Sequence, residues 1–385
     1  RITEQSSNTY ILENGMRVAV KRSELIEYFK YIIVAIRKDR WVANLFYRLA
    51  DKNTRNGIQI FEDFCKSGHM KEKDILAMRV LGDDAQIPAY RFENVLLRKN
   101  RRFYNGDESN FVNLFASDYN DDFPDPFVRA DILNWLYQVQ ALSGPTGDKG
   151  LFQVSELARS LQVYGHSLAV IYRELAYLAR KNLVLCENSA MPIEEGDLVK
   201  ITIPGALHLQ MLRNVSYLSA CAEDTLFKNT EVMTRISNRL KFHESDSKLV
   251  VALNARDLVN YLIEYRKEYL TNSDELVSEK AIISSVDLND SLHAVEQWIQ
   301  ADENLKKTIS EIDYFTVDMD VDACVVSKNS GGVVCTIADK DVKGFISSLE
   351  PKYSFPYDVY SKIKPGDILK CKVMEFDFTH RSFQL

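Results

Sequence analysis

The sequence has no phosphate-binding P-loop, no CxxC pair and no apolar run near the roughly 18 residues of a membrane span. Each absence removes a class. The glycine-rich GPTGDKG lacks both the spacing and the hydroxyl residue of GxxxxGK[ST], so nucleotide hydrolysis within these residues has no motif behind it. The cysteines (Cys65, Cys186, Cys221, Cys324, Cys335, Cys371) fall at irregular intervals. That fits free thiols in a reducing cytoplasm better than a disulfide framework or a zinc site. His69, His166, His208, His243, His293 and His380 form no HExxH or HxxxH pair, and nothing like GxSxG is present. No catalytic residue and no metal ligand is therefore assigned, although a Ser-His-Asp site built from distant residues stays open. No signal peptide precedes the first domain and no membrane partner is expected. Arg1 is not an initiator methionine, so the chain reads as part of a longer protein.

Positive charge is also short. Forty-eight Lys and Arg face fifty-five Asp and Glu, for a formal net charge of −7. A protein coated for duplex DNA would show the opposite balance, so any nucleic-acid contact has to use a local patch against an unfavourable field.

What is there is ordinary globular composition, 46% hydrophobic and 27% charged over 385 residues, enough for two or three domains. The predicted fold class is α+β and multidomain. Residues 1–123 read as a helical region opened by a β-hairpin, TYILENGMRVAV, around Asn14-Gly15. Residues 124–221 give three periodic helices closed by the strands LVLCE and LVKITI, a winged helix with Leu157, Leu161, Leu175, Leu178 and Leu183 as core. Residues 222–312 read as a helical connector whose apolar faces leave self-association open. Residues 313–385 carry five short β-rich runs, expected to close into a small barrel filled by residues such as Ile368, Cys371 and Val373.

Candidate binding residues fall into three groups. Arg91, Arg98, Lys99, Arg101 and Arg102 crowd twelve positions. They are either a solvated helix end or a contact for phosphate or an acidic partner, with Arg98, Lys99, Arg101 and Arg102 the candidates. The third winged-helix helix offers Arg173, Tyr177, Arg180 and Lys181 to DNA. Yet residues 124–203 hold seven basic and nine acidic side chains, which favours protein docking. The barrel is no better charged, with nine basic and ten acidic residues from 316 to 385.

Two family resemblances add to this. Residues 316–385 resemble the S-one type of OB-fold through GGVVCTI, GFI and the ending GDILKCKVMEFDFTHRSFQL. That family implies RNA or single-stranded DNA binding through two strand aromatics, a histidine and a late Asp and Arg. Asp377 and Arg381 match, whereas the aromatic positions hold Ser330 and Val333 and the histidine position holds Ser347. Phe345, Tyr353, Phe355, Tyr357 and Phe378 could supply another platform, with Phe345 the candidate contact. Residues 20–205, through NTRNGIQIFEDFCKSGHM and VLLRKNRRFYNGDESNFVNLF, resemble the region C-terminal to the nucleotide-binding core in STAND-type and related AAA-like ATPases. This implies that Arg55, after Asn53 and Thr54, reaches nucleotide phosphates in a helical lid. The family usually has glycine where this chain has Lys52.

Together these readings imply the non-catalytic sensing or docking part of a cytoplasmic bacterial NTPase, in defence (antiviral defence included) or stress signalling. No cofactor is expected in this segment, and ATP would lie in an upstream core. The partner is a protein or that core. The alternative is an RNA- or DNA-binding regulator acting through the winged helix and barrel.

Overall fold

The computed structural model describes residues 7–11, 17–69, 80, 89–117, 125–188, 192–242, 247–270, 275–277, 282–337, 342–348, 357–378 and 380–385. The fold is α+β and multidomain. The chain divides into two compact units, Arg1–Met233 with Asn254–Val295, and Thr234–Leu253 with Glu296–Leu385. Residues 222–312, which read from sequence as one connector, are shared between the two.

The first unit opens with antiparallel strands β1 (Ser7–Ile11) and β2 (Arg17–Lys21), paired from Ser7↔Lys21 to Ile11↔Arg17. The Asn14-Gly15 turn lies outside the described residues. Helices α1 (Arg22–Lys38), α2 (Arg40–Ala50) and α3 (Thr54–Lys66) come next, packed in sequence order. Each of the last two starts at a polar cap. Asp39 accepts the N–H groups of Trp41 and Val42, and Asn53 those of Arg55 and Asn56, which satisfies donors that have no partner inside the helix. Helix α4 (Ala89–Arg98) packs on α3 and buries nearly its whole length, Arg91 and Arg98 included.

Helices α5 (Val128–Val139), α6 (Val154–Val163) and α7 (Leu168–Arg180) then stand with a three-stranded sheet in winged-helix order. The two expected strands are β4 (Val184–Cys186) and β5 (Leu198–Ile201), and a third, β3 (Phe152–Gln153), pairs with β5 on its other edge. At two residues β3 is too short for alternation to reveal. Leu157, Leu161, Leu175, Leu178 and Leu183 are all buried. Helices α8 (Ile203–Met211) and α9 (Val215–Glu223) return to the first helices, α8 onto α2 and α9 onto α4. After α10 (Thr230–Phe242) and α11 (Lys248–Tyr269) comes a small hairpin, β6 (Glu275–Val277) with β7 (Ile282–Ser284), in a stretch that read as polar linker.

Helix α12 (Asn289–Gln300) leads to the second unit's α13 (Glu303–Tyr314) and then to six strand segments. These are β8 (Asp320–Asn329), β9 (Gly332–Ile337), β10 (Val342–Ser347), β11 (Ile368–Lys372), β12 (Glu375–Asp377) and β13 (Ser382–Gln384), with helix α14 (Tyr357–Lys362) between β10 and β11. The sheet order is β11-β8-β9-β10-β13-β12, with β10 parallel to β13 and every other pair antiparallel. The two ends of that order are halves of one strand, broken at Val373-Met374. Val373 N–H donates to Met319 O on the β8 side, and Met374 N–H to Gln384 O on the β13 side, so the fourth strand closes the barrel. Six segments thus make the five-stranded OB-type arrangement.

The inside is lined by Val321, Ala323, Val325, Val333, Cys335, Ile337, Val342, Ile346, Val373 and Phe383. Ile368 is the exception to expectation, 68% exposed on the outer face. Side chains alternate along a strand, so Ile368 and Cys371, three apart, cannot both point inward, and Leu369 and Cys371 take the inner side. Gly332 has φ 156°, and a Cβ there would sit 2.3 Å from Ile346 O and 2.7 Å from the Phe345 ring. This explains the glycine pair before β9 as a close strand approach. The final Leu385 lies against Gly344, so two separated pieces of the motif are one packing contact.

Candidate functional site

Arg55 is exposed in the first turn of α3, its backbone N–H donating to Asn53 Oδ1 at 2.9 Å. Ile58, one turn further, is 63% exposed. Lys52, the departure from the resemblance, has φ 59°, a left-handed conformation that glycine adopts without cost.

The basic run splits. Arg98 is turned inward, paired with Glu223 at the end of α9, with both side chains almost wholly buried and Arg98 Nη1 also donating to Asn94 Oδ1 at 2.9 Å. Lys99 reaches Asp63 of α3 at 3.4 Å. Arg101 pairs with Glu108 on the surface, and exposed Arg102 lies 5.0 Å over the Phe103 ring. Of the four candidates, the exposed pair Arg101 and Arg102 faces solvent, and Arg98 holds the fold together instead.

The segment from Tyr104 to Phe115 is irregular yet largely buried, so its backbone groups need partners. The chain supplies them with side chains from α8 and α9. Tyr104 N–H donates to Glu223 Oε2 at 2.8 Å and Gly106 N–H to Asp224 Oδ2 at 2.9 Å. Val112 N–H donates to His208 Nε2 at 2.9 Å, so His208 carries its proton on Nδ1, which donates to Pro204 O at 2.7 Å. Burial pulls His208 down to about 4, and it stays neutral in this role. Tyr217 Oη donates to Val112 O at 2.7 Å, and Asn113 Nδ2 donates to Cys221 O and Thr225 Oγ1.

This segment occupies the third winged-helix helix. Tyr177 Oη donates to Asp107 Oδ1 at 2.7 Å, and Lys181 Nζ donates to Asp107 O. Arg129 of α5 stacks 3.9 Å over the Tyr177 ring while donating to Glu174 Oε2 at 2.6 Å and Asn113 O at 3.1 Å. Arg173 donates to Glu174 Oε1 at 2.9 Å. Among the candidate DNA contacts, Tyr177, Lys181 and Arg173 thus have internal partners, and Arg180 is exposed at the helix's last residue. The same segment is tied to α3, where Asn110 Nδ2 donates to Asp63 Oδ2 at 3.1 Å.

In the barrel, Phe345 is half-buried on the outer face, its ring over Gly332. It pairs in register with Gln384, whose Nε2 donates at 3.5 Å to Asp377 Oδ2. Asp377 also takes His380 Nδ1 at 2.8 Å and His380 N–H at 3.1 Å, a local turn that holds Arg381 exposed at φ 49°. Phe345 thus lies on β10 and Asp377 on β12, with β13 between them, and Arg381 stands in the turn just before β13. Val333, at a family stacking position, points into the core, and Ser330 sits on the exposed turn before β9. Phe378 is half-buried, edge-on to Phe376 at 5.0 Å. Tyr353 and Phe355, and the Tyr357 side chain, lie outside the described residues.

Sequence reading missed a buried ionic cluster. His166, in the turn between α6 and α7, meets Asp125 through Nδ1 at 2.5 Å and Asp131 through Nε2 at 3.0 Å. Arg266 of α11 stands 3.8 Å from Asp131 and 4.1 Å over the Phe127 ring. Burial alone would lower the His166 pKa, but two carboxylate hydrogen bonds outweigh it and push it up to about 9. A doubly bonded imidazolium is a structural cation with no free nitrogen for proton transfer. Among the described residues no group of three His, Cys, Asp or Glu side chains is placed to hold a metal, and no helix is long and apolar enough to cross a membrane.

No family model matches the chain, and no curated protein matches it. Among solved structures, the apo form of Mycoplasma genitalium RNase R is similar at 11% identity with a TM-score of 0.17, over 67% of this chain and 40% of that one. The chain spans well under half of that protein, and a likeness this loose carries no argument.

Proposed function

We propose that this chain is a non-catalytic relay and docking part of a cytoplasmic NTPase, with Arg55 meeting the phosphates of ATP on a P-loop core supplied by another segment or chain. One observation carries the reading, a path of contacts from α3 through the main chain of residues 107–110 to the third winged-helix helix. Asp63 of α3 holds Lys99 and Asn110, and Asp107 of the same segment holds Tyr177 and Lys181. A shift of α3 on phosphate contact would therefore be felt by the winged helix as a rigid neighbour. The winged helix spends its polar face on the chain itself, which suits a docking body better than a reader of DNA. A defence or stress-signalling setting, antiviral or other, rests on analogy of architecture alone.

The test is nucleotide turnover by the protein expressed from its whole gene. Arg55→Ala should lower turnover at least roughly tenfold, about 1.4 kcal/mol of barrier, with unchanged circular dichroism. Full activity in that variant, or a whole protein that binds no nucleotide, would remove the reading.

A second reading, RNA or single-stranded DNA on the barrel, is favoured by Gln384 of β13, which pairs in register with Phe345 of β10 and donates to Asp377 of β12, with exposed Arg381 in the turn that leads into β13. It predicts anisotropy-detected binding of single-stranded RNA at about 50 mM salt, where phosphate contacts are strong. Arg381→Ala should weaken that binding.

A further inference from the structure

Helix α1 faces two ways. Ile32, Ala35 and Ile36 turn into the unit's core, whereas Ile26, Phe29 and Ile33 stay 39%, 37% and 43% exposed. Spaced at i, i+3 and i+7, the three exposed residues form one narrow seam, the a, d and a positions of a heptad. Lys30 and Arg37 then fall at the e positions that flank this seam, and both are exposed. Lys38 and Arg40, exposed where α1 gives way to α2, add two more cations. Glu27 is the one exposed acid among the described residues of α1. The apolar surface continues onto α3. There the Phe61 ring lies 6.1 Å from that of Phe29, and Ile58, one turn before Phe61, is exposed.

We propose that the Ile26–Phe29–Ile33 seam is a docking face for an acidic amphipathic helix of a partner protein. Charge selects the occupant. Acidic side chains on the partner would pair with Lys30 and Arg37, two cations one heptad apart, about 10 Å along the helix. A second copy of this chain, set two-fold on the same face, would instead bring one basic patch against another. A lipid surface rewards a broad apolar face that sinks deep, and here more than half of each of the three residues is already covered by its own fold. A seam this narrow suits a facing helix. From Ile26 to Arg37 it runs about 16 Å, which is three turns of such a partner.

A fluorescein-labelled peptide of about three heptads tests this, with Leu at a and d and Glu at e and g, whose like charges oppose its pairing with itself. Anisotropy against the whole chain at about 50 mM salt should show binding at least roughly tenfold tighter than for the same peptide with Lys in place of Glu. An acidic peptide of equal composition with scrambled heptads should be weaker by about as much. Lys30→Glu combined with Arg37→Glu should reverse the order of the Glu and Lys peptides. Ile33→Ser, a surface change expected to leave circular dichroism unaltered, should weaken the Glu peptide about tenfold. Equal binding of the three peptides, or none at about 100 μM, would overturn the proposal. So would a dimer that Ile33→Ser dissociates in sedimentation, or binding to phosphatidylserine vesicles that Ile33→Ser abolishes. The face would then belong to a second copy or to a membrane.

Discussion

The third winged-helix helix and the outer face of the barrel are both surfaces that recognition folds use, and they differ in what covers them. On the helix, Tyr177 and Lys181 grip Asp107, and Arg173 is bound to Glu174. On the barrel, Val326, Lys343 and Ile368 stand exposed, and the aromatic candidate Phe345 leans on Gly332. One face has been spent on internal packing, and the other is open at these positions. A fold therefore offers a binding face only to the extent that distant parts of the chain leave it unoccupied, and residue type alone does not say which has happened.

The contrast breaks first where the covering segment is anchored. Glu223 is buried, pairs with Arg98 and accepts the Tyr104 N–H. Glu223→Gln removes the charge and leaves Arg98 buried without its counter-ion, which costs about 3–5 kcal/mol where no replacement partner exists. Urea denaturation followed by tryptophan fluorescence should show a loss of that size. A loss under about 1 kcal/mol would mean that the segment is held by its apolar residues and not by this pair.

The His166 cluster gives a pH handle on the winged-helix side alone. Its pKa is raised from 6.5 to about 9 in the folded protein, with burial opposing and the two carboxylates prevailing. Below about pH 6.5 both folded and unfolded chains are protonated, and the stabilisation is complete. From there to about pH 9 the unfolded chain sheds its proton while the folded chain keeps it, so the stabilisation shrinks and is gone above. The expected decline is roughly 3 kcal/mol between pH 6 and 10, absent in His166→Asn. Equal pH slopes in the two proteins would show that the cluster is not charged as described.

What was legible in the sequence was local. Leucine spacing located the winged-helix core, and the Gly-Asp turn located the barrel's fourth strand, because periodicity and turn chemistry act within a few residues. Arg98, read either as part of a solvated end or as a contact for phosphate or an acidic partner, is buried against Glu223, 125 positions away, a separation that no window spans. The same holds for Asp107 with Tyr177 and for Asp131 with Arg266. In the barrel, parity would have excluded Ile368 from the inside once Cys371 and Val373 were placed there. The hairpin β6–β7 was hidden by its length, three residues to a strand.

On the barrel side, Gly332→Ala sharpens the comparison. The added Cβ meets the Ile346 carbonyl oxygen, and the backbone conformation is one that side chains resist, so a cost of roughly 1–3 kcal/mol is expected. Because the Phe345 ring also sits there, the variant should move Phe345 resonances more than those of Phe383 across the barrel. A stable variant with no Phe345 shift would mean that the ring does not rest on this glycine.

The smallest effect on stability decides most about the covered helix. Asp107→Ala deletes an exposed carboxylate that takes the Tyr177 hydroxyl, a loss of about 1 kcal/mol or less. It also frees Tyr177 at the edge of the third helix. If the helix is a docking body, duplex DNA binding should stay undetectable at about 50 mM salt, because the surrounding residues carry more acid than base. Binding that appears in the variant and falls again when Lys181→Ala is added would recast Asp107 as a stand-in for a phosphate. The third helix would then be a reader masked by its own chain.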